Sequence, residues 1–159
     1  MPRALPWFGI AALVLLADLA TKWLVLARFA AGERFEVTGF FNLVLVFNRG
    51  AAFSFLADAP GWQTPVFAGF ALIASAVIAY LLIKTPQKKI FCAGLALILG
   101  GAIGNLIDRL RFGQVVDFLD FHALGWHWPA FNVADSAITV GAVILILEGF
   151  LPREKRASD

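Results

Sequence analysis

Carboxylates stand where this chain is otherwise apolar. The stretch "FNVADSAITVGAVILIL" begins at Phe131, and its Asp135 is followed by twelve residues, Ser136 to Leu147, without a charge. Asp117 lies in "QVVDFLDF" between Val116 and Phe118, and Asp18 lies in a long apolar run with Lys22 four residues later. Ionised groups are costly in such settings, so each needs a partner or a task. Two carboxylates about 4 Å apart, at an effective dielectric near 20, repel by about 4 kcal/mol, or roughly three pK units. Such a pair shares one proton near neutral pH. Its ionised member can take a proton from a water attacking a carbonyl, while its protonated member polarises that carbonyl. Asp117 and Asp135, with 17 residues between them, are the candidates for this chemistry.

Each acid also has a purely structural reading. Asn132 can be the N-cap of a helix, which places Asp135 at N3, where an acid suits the positive end of the helix dipole. Asp18 and Lys22 share one helix face in the favourable order, as an ion pair that fixes the bundle or as a relay, with Lys22 expected to reach the outer interface. Asn105, Asp108 and Arg109 suit helix-end hydrogen bonding. Asp120 alternates less clearly than Asp117 and reads as a solvated neighbour. Nothing positions a base beside Ser136. His122 and His127, in "FHALGWHW", lack a metal-ligand pattern and suit an interfacial aromatic belt.

The elements that must hold these groups are membrane spans. The chain has 159 residues, 60% of them hydrophobic and 15% charged, with a mean hydropathy of +0.81. A water-soluble domain of this length would need more polar surface. Four runs, about 6–27, 66–83, 90–107 and 133–151, are long enough to cross a bilayer. The link "KTPQKK" and the tail "PREKR" are basic, as is Arg3, so both termini are expected inside and the loops at 28–65 and 108–132 outside. The net charge of +2 then reflects topology, not nucleic-acid binding. Cys92 is the only cysteine, so no disulfide within the chain is expected; it reads as a packing residue. "RFEVTGFFNLVLVFN" reads as a hairpin or curved sheet turning at Thr38-Gly39, and "GAAFSFLAD", 50–58, as a short interfacial helix. Gly100 and Gly104 invite close helix approach near the outer end of the third span.

Jointly and in order, "DLATK", "FNRGAAFSFL", "GGAIGNLIDR", "VVDF" and "FNVADS" resemble the lipoprotein signal peptidases (signal peptidase II), bacterial inner-membrane aspartyl proteases, over nearly the whole chain. The resemblance implies four transmembrane helices with a periplasmic β-cradle and a short periplasmic helix. It implies cleavage of prolipoproteins just before a diacylglyceryl-modified cysteine, by a monomer without metal or cofactor, with globomycin-type antibiotics in the same groove. On the matching positions Asp117 and Asp135 are the catalytic acids, and Asn48, Asn105, Arg109 and Asn132 line the site or hold substrate. Asp18 and Lys22 match a polar pair in the first span, but Leu19 stands where glutamine is common in the family.

From the residues alone, two other classes stay open. A proton-coupled transporter could use the same acids as a relay, although the inner halves of the spans offer no ionisable path except Glu148. A noncatalytic scaffold would need them only as caps and ion pairs.

Overall fold

The computed structural model describes residues 2–50 and 61–150. Four helices are long and apolar enough to cross a membrane: α1 (Leu5–Arg28), α2 (Gln63–Lys84), α3 (Lys89–Phe112) and α4 (Val133–Phe150). Among the described residues a short 3-10 helix, Pro2–Ala4, and four strands complete the order. β1 (Arg34–Thr38) and β2 (Phe41–Asn48) lie between α1 and α2, and β3 (Val115–Ala123) and β4 (Trp126–His127) lie between α3 and α4. The protein is thus mainly helical, with a small antiparallel sheet in the order β1-β2-β3-β4. The hairpin expected over 34–48 forms. The interfacial helix expected over 50–58 falls almost wholly outside the described residues.

The helices start and stop for local reasons. Pro6 sits in the first turn of α1, where a missing N–H costs nothing. Gly113 ends α3 in the left-handed region, φ 70°, with its N–H bonded to the Arg109 carbonyl. On the side of the basic link, the Trp7 indole N–H bonds the Pro86 carbonyl at 3.1 Å, tying the start of α1 to the α2–α3 turn.

α3 is the central helix, packed against the other three. Of its most apolar window 56% is buried inside the protein, against 22%, 17% and 11% for α1, α2 and α4. The outer three therefore present Leu13, Leu16, Phe70, Ile73, Ile146 and Leu147 to the surroundings, a surface suited to lipid and not to water. Close approach is achieved at glycine. A Cβ on Gly101 would collide with the Ala134 carbonyl, and one on Gly104 with the Asp18 carboxylate. Gly100, against the Ala11 carbonyl, and Gly104 thus let α1 approach closely, as their spacing predicts, and Gly101 brings α4 to backbone distance.

Candidate active site

The head of α4 organises the site. Asn132 is its N-cap: the Asp135 N–H donates to Asn132 Oδ1 at 2.8 Å. A second free N–H of this first turn, that of Ala134, donates to Asp18 Oδ1 of α1 at 2.9 Å. Helix starts leave such donors unpaired; here one is met locally and one from another helix. Ser136 Oγ donates back to the Asn132 carbonyl at 2.9 Å, so its hydroxyl serves the cap.

Asn132 also faces β3. Its Nδ2 donates to Asp117 Oδ1 at 2.8 Å and lies 3.2 Å from both Asn105 Oδ1 and the Val116 carbonyl. Asn105, one turn beyond Gly101, donates through Nδ2 to Asp135 Oδ1 at 2.7 Å. Asn48, at the end of β2, donates to Asp117 Oδ2 at 3.0 Å. The two acids are thereby joined through asparagines: Asp117 to Asn132, Asn132 to Asn105, Asn105 to Asp135. Amide N–H groups can only donate, which suits the ionised form of a carboxylate. Burial opposes this at Asp117, and the nearby Asp135 charge adds to it. Together they outweigh the asparagine bonds and the Lys22 charge and raise Asp117 to about 7.

Lys22 lies behind this layer. Its Nζ is 2.8 Å from Asp18 Oδ2 and 2.7 Å from Asp108 Oδ2, two ion pairs, and donates to Asn105 Oδ1 at 3.0 Å. The expectation that Lys22 reaches the outer interface is wrong: the residue is 2% exposed. Two buried carboxylates and an amide satisfy it where it stands, which is cheaper than extending toward water. Asp108 Oδ2 also accepts the Val116 N–H at 3.1 Å, fixing the start of β3 to the end of α3.

Arg109 holds the rim. It donates to the Gly50 carbonyl at 3.0 Å and to the Asn105 carbonyl at 3.3 Å, with its guanidinium 5.6 Å from the centre of the Phe67 ring. A groove of about 560 Å³ opens below it, with Phe67, Phe70, Ala71 and Ala74 of α2 on one wall. Ile98, Ala102 and Asn105 of α3 form its floor, and Asp135, Ile138 and Thr139 of α4 the other wall. Trp128, Ala130 and Phe131, from the segment before α4, complete its lining. An apolar trough with a few polar groups at one end is the usual form of a ligand site. Asp135 and Asn48 line it. Asp117 lies behind Asn48 and is 2% exposed.

Asp120 corrects the reading from sequence. It is not a solvated neighbour but is 4% exposed, and accepts from Asn42 at 2.8 Å with His127 Nδ1 2.9 Å away. Burial pushes its carboxyl up, but the Asn42 and His127 hydrogen bonds and the charges of His127 and Arg34 outweigh this and hold it below its ordinary value. His127 therefore does more than sit in an aromatic belt. Its partner was hidden because the pairing depends on strand register, which no local motif encodes.

Comparison with known proteins places these features. Two solved structures, each described as a bacterial membrane enzyme determined by the in meso method, at 2.3 and 1.9 Å, are 30% identical to this chain. They superpose with TM-scores of 0.82 and 0.80, covering 97% and 94% of this chain and 94% of each of theirs. Fold and groove together define a membrane-embedded enzyme. Residues 10–151 match the family Signal peptidase (SPase) II. The lipoprotein signal peptidase of Paraburkholderia phytofirmans is 61% identical over 143 residues, 90% of this chain and 83% of the relative. That of Ralstonia nicotianae is 57% identical over the same shares. The chain belongs to the signal peptidase II family, proteases that remove signal peptides from prolipoproteins.

Proposed function

We propose that Asp117 and Asp135 are the catalytic pair of this peptidase, cutting a diacylglyceryl-modified prolipoprotein just before its lipidated cysteine. The observation that carries this reading is the asparagine-bridged placement of both acids at the head of an apolar groove. Around that head four carboxylates, Asp18, Asp108, Asp117 and Asp135, meet two cations, Lys22 and Arg109. One shared proton on the pair reduces the excess. The ionised member takes a proton from water as the oxygen attacks the peptide carbonyl, and the protonated member gives its proton to the carbonyl oxygen. When the tetrahedral species collapses, the C–N bond breaks, the new amine takes a proton from the protonated acid, and a hydroxyl of the diol returns its proton to the ionised one, so the pair ends with its one shared proton. Asn48 covers Asp117 on the groove side, so substrate entry must exchange that amide bond for one to water or substrate. Arg109 and Asn105 hold the peptide backbone, and the trough takes acyl chain or signal helix, as it would a globomycin-type inhibitor.

The basic link and tail support a topology with both termini on the cytoplasmic side of a bacterial inner membrane. The site then opens at the periplasmic face. There the scissile bond arrives at the membrane surface, with the signal helix spanning the bilayer and the lipid in the outer leaflet. The test is cleavage of diacylglyceryl-prolipoprotein and of its unlipidated precursor by purified protein and by Asp117→Asn and Asp135→Asn. Each folded variant is expected to lose a factor of about 10²–10⁴ in rate. Near-full activity in either sinks the pair, and equal cleavage of both precursors sinks the substrate.

A further inference from the structure

The outer sheet carries a second polar cluster that hydrolysis leaves unused. Cross-strand pairing sets Glu36 opposite Asn42, Asn42 opposite Asp120, and His122 opposite His127. Asp120 is its buried anchor. Beyond the Asn42 and His127 bonds, Arg34 lies 3.7 Å from it, and the His127 ring stacks on His122 with centroids 4.9 Å apart.

What the cluster fastens is a wall of the groove. His127 ends β4, and Trp128, Ala130 and Phe131, which line the groove, follow directly. The backbone ties this segment to β3: Trp128 N–H to the Phe121 carbonyl at 2.8 Å and Phe131 N–H to the Leu119 carbonyl at 3.1 Å. At its far end Asn132 bonds Asp117. Residues three apart on a strand project to opposite faces. Asp120 and Asp117 thus grip the two ends of one segment from the two faces of β3. The β3–β4 hairpin has only two residue pairs and a turn whose Leu124 is wholly exposed at φ 52°. A hairpin this short holds poorly by itself, and the Asp120–His127 bond adds a buried side-chain fastening at its base to those backbone ties.

We propose that Asp120 and His127 form a positioning pair that holds the Trp128–Phe131 wall against the bound substrate, setting its affinity without touching the reacting bond. This rests on the groove being the substrate site. KM and kcat for diacylglyceryl-prolipoprotein test it. His127→Ala is expected to raise KM roughly tenfold and leave kcat within about twofold. His127→Asn keeps a donor near the Nδ1 position and is expected to restore KM. Asp120→Asn, which keeps size but removes charge, is expected to raise KM likewise and carries the test should His127→Ala not fold. An unchanged KM overturns the pair, as does a fall confined to kcat or a failure of His127→Asn to rescue. Ala74→Trp, which fills the groove from α2, separates the two readings. If it leaves KM unchanged, the groove assignment fails. If it raises KM while His127→Ala and Asp120→Asn do not, only the positioning pair fails.

Discussion

The carboxylate of Asp18, in the first helix, accepts the backbone N–H of Ala134, in the fourth, at 2.9 Å. This bond joins residues 116 apart in sequence and sets the height of α4 against α1. Asp135 is the next residue, so a shift of α4 along its axis would carry it away from Asn105.

Asp18→Ala is expected to destabilise the protein by about 3 kcal/mol, because it strips a buried ammonium of one partner and a helix N–H of its acceptor. Asp18→Asn keeps an acceptor for Ala134 and should cost clearly less. Thermal unfolding in detergent measures both. Equal losses would mean that the charge, and not the cap, is what Asp18 supplies.

Asp117 makes stability depend on pH in a stated direction. Its carboxyl titrates near 7 in the folded protein against an ordinary 3.8, so the native state keeps a proton that the unfolded chain releases. The resulting stabilisation is complete below the unfolded value and is lost as pH rises through 7, by about 4 kcal/mol in all. Asp117→Asn has no such proton. Between pH 4 and 8 the difference in stability should therefore move in the variant's favour by roughly that amount. Parallel curves for variant and wild type would contradict this. In the wild type, cleavage should fall as pH rises through 7 and the shared proton leaves.

The spans, the hairpin and the Asn132 cap were legible in the sequence because each rests on a local pattern: apolar length, alternation, a capping residue three before an acid. The two acids proposed as the pair stand out in the sequence through their apolar neighbours. What sequence could not show was register. Nothing local in "DLATK" says that Asp18 will cap α4 or that Lys22 will also meet Asp108 and Asn105. Nothing in "FLDFH" places Asp120 against Asn42 and His127. These pairings arise only when α3 brings α1 and α4 to glycine distance and β2 aligns with β3.

Gly101→Ala tests that close approach. The added methyl would meet the Ala134 carbonyl, which is backbone and cannot rotate aside. α4 must then move outward, at a cost of about 1–3 kcal/mol. Because Asn105 and Asp135 lie one turn and one residue from this contact, activity should drop further than lost stability explains. Activity at a temperature where the variant is fully folded checks this. Gly69→Ala, with open space around its Cβ, is the control expected to change little.

Lys22 influences Asp117 without touching it. Its charge lowers the Asp117 carboxyl, against the larger effects of burial and Asp135. Lys22→Gln removes that charge but keeps donors for Asn105 and one carboxylate, at a stability cost of about 3 kcal/mol. With the cation gone, Asp117 holds its proton more tightly. The alkaline fall in cleavage should therefore move to higher pH, even as overall activity declines. The pH–rate profile of the folded variant decides the point. A limb that stays in place would make Lys22 a purely structural partner of Asp18 and Asp108. A limb that moves up shows that the buried cation tunes the proton shared by the pair.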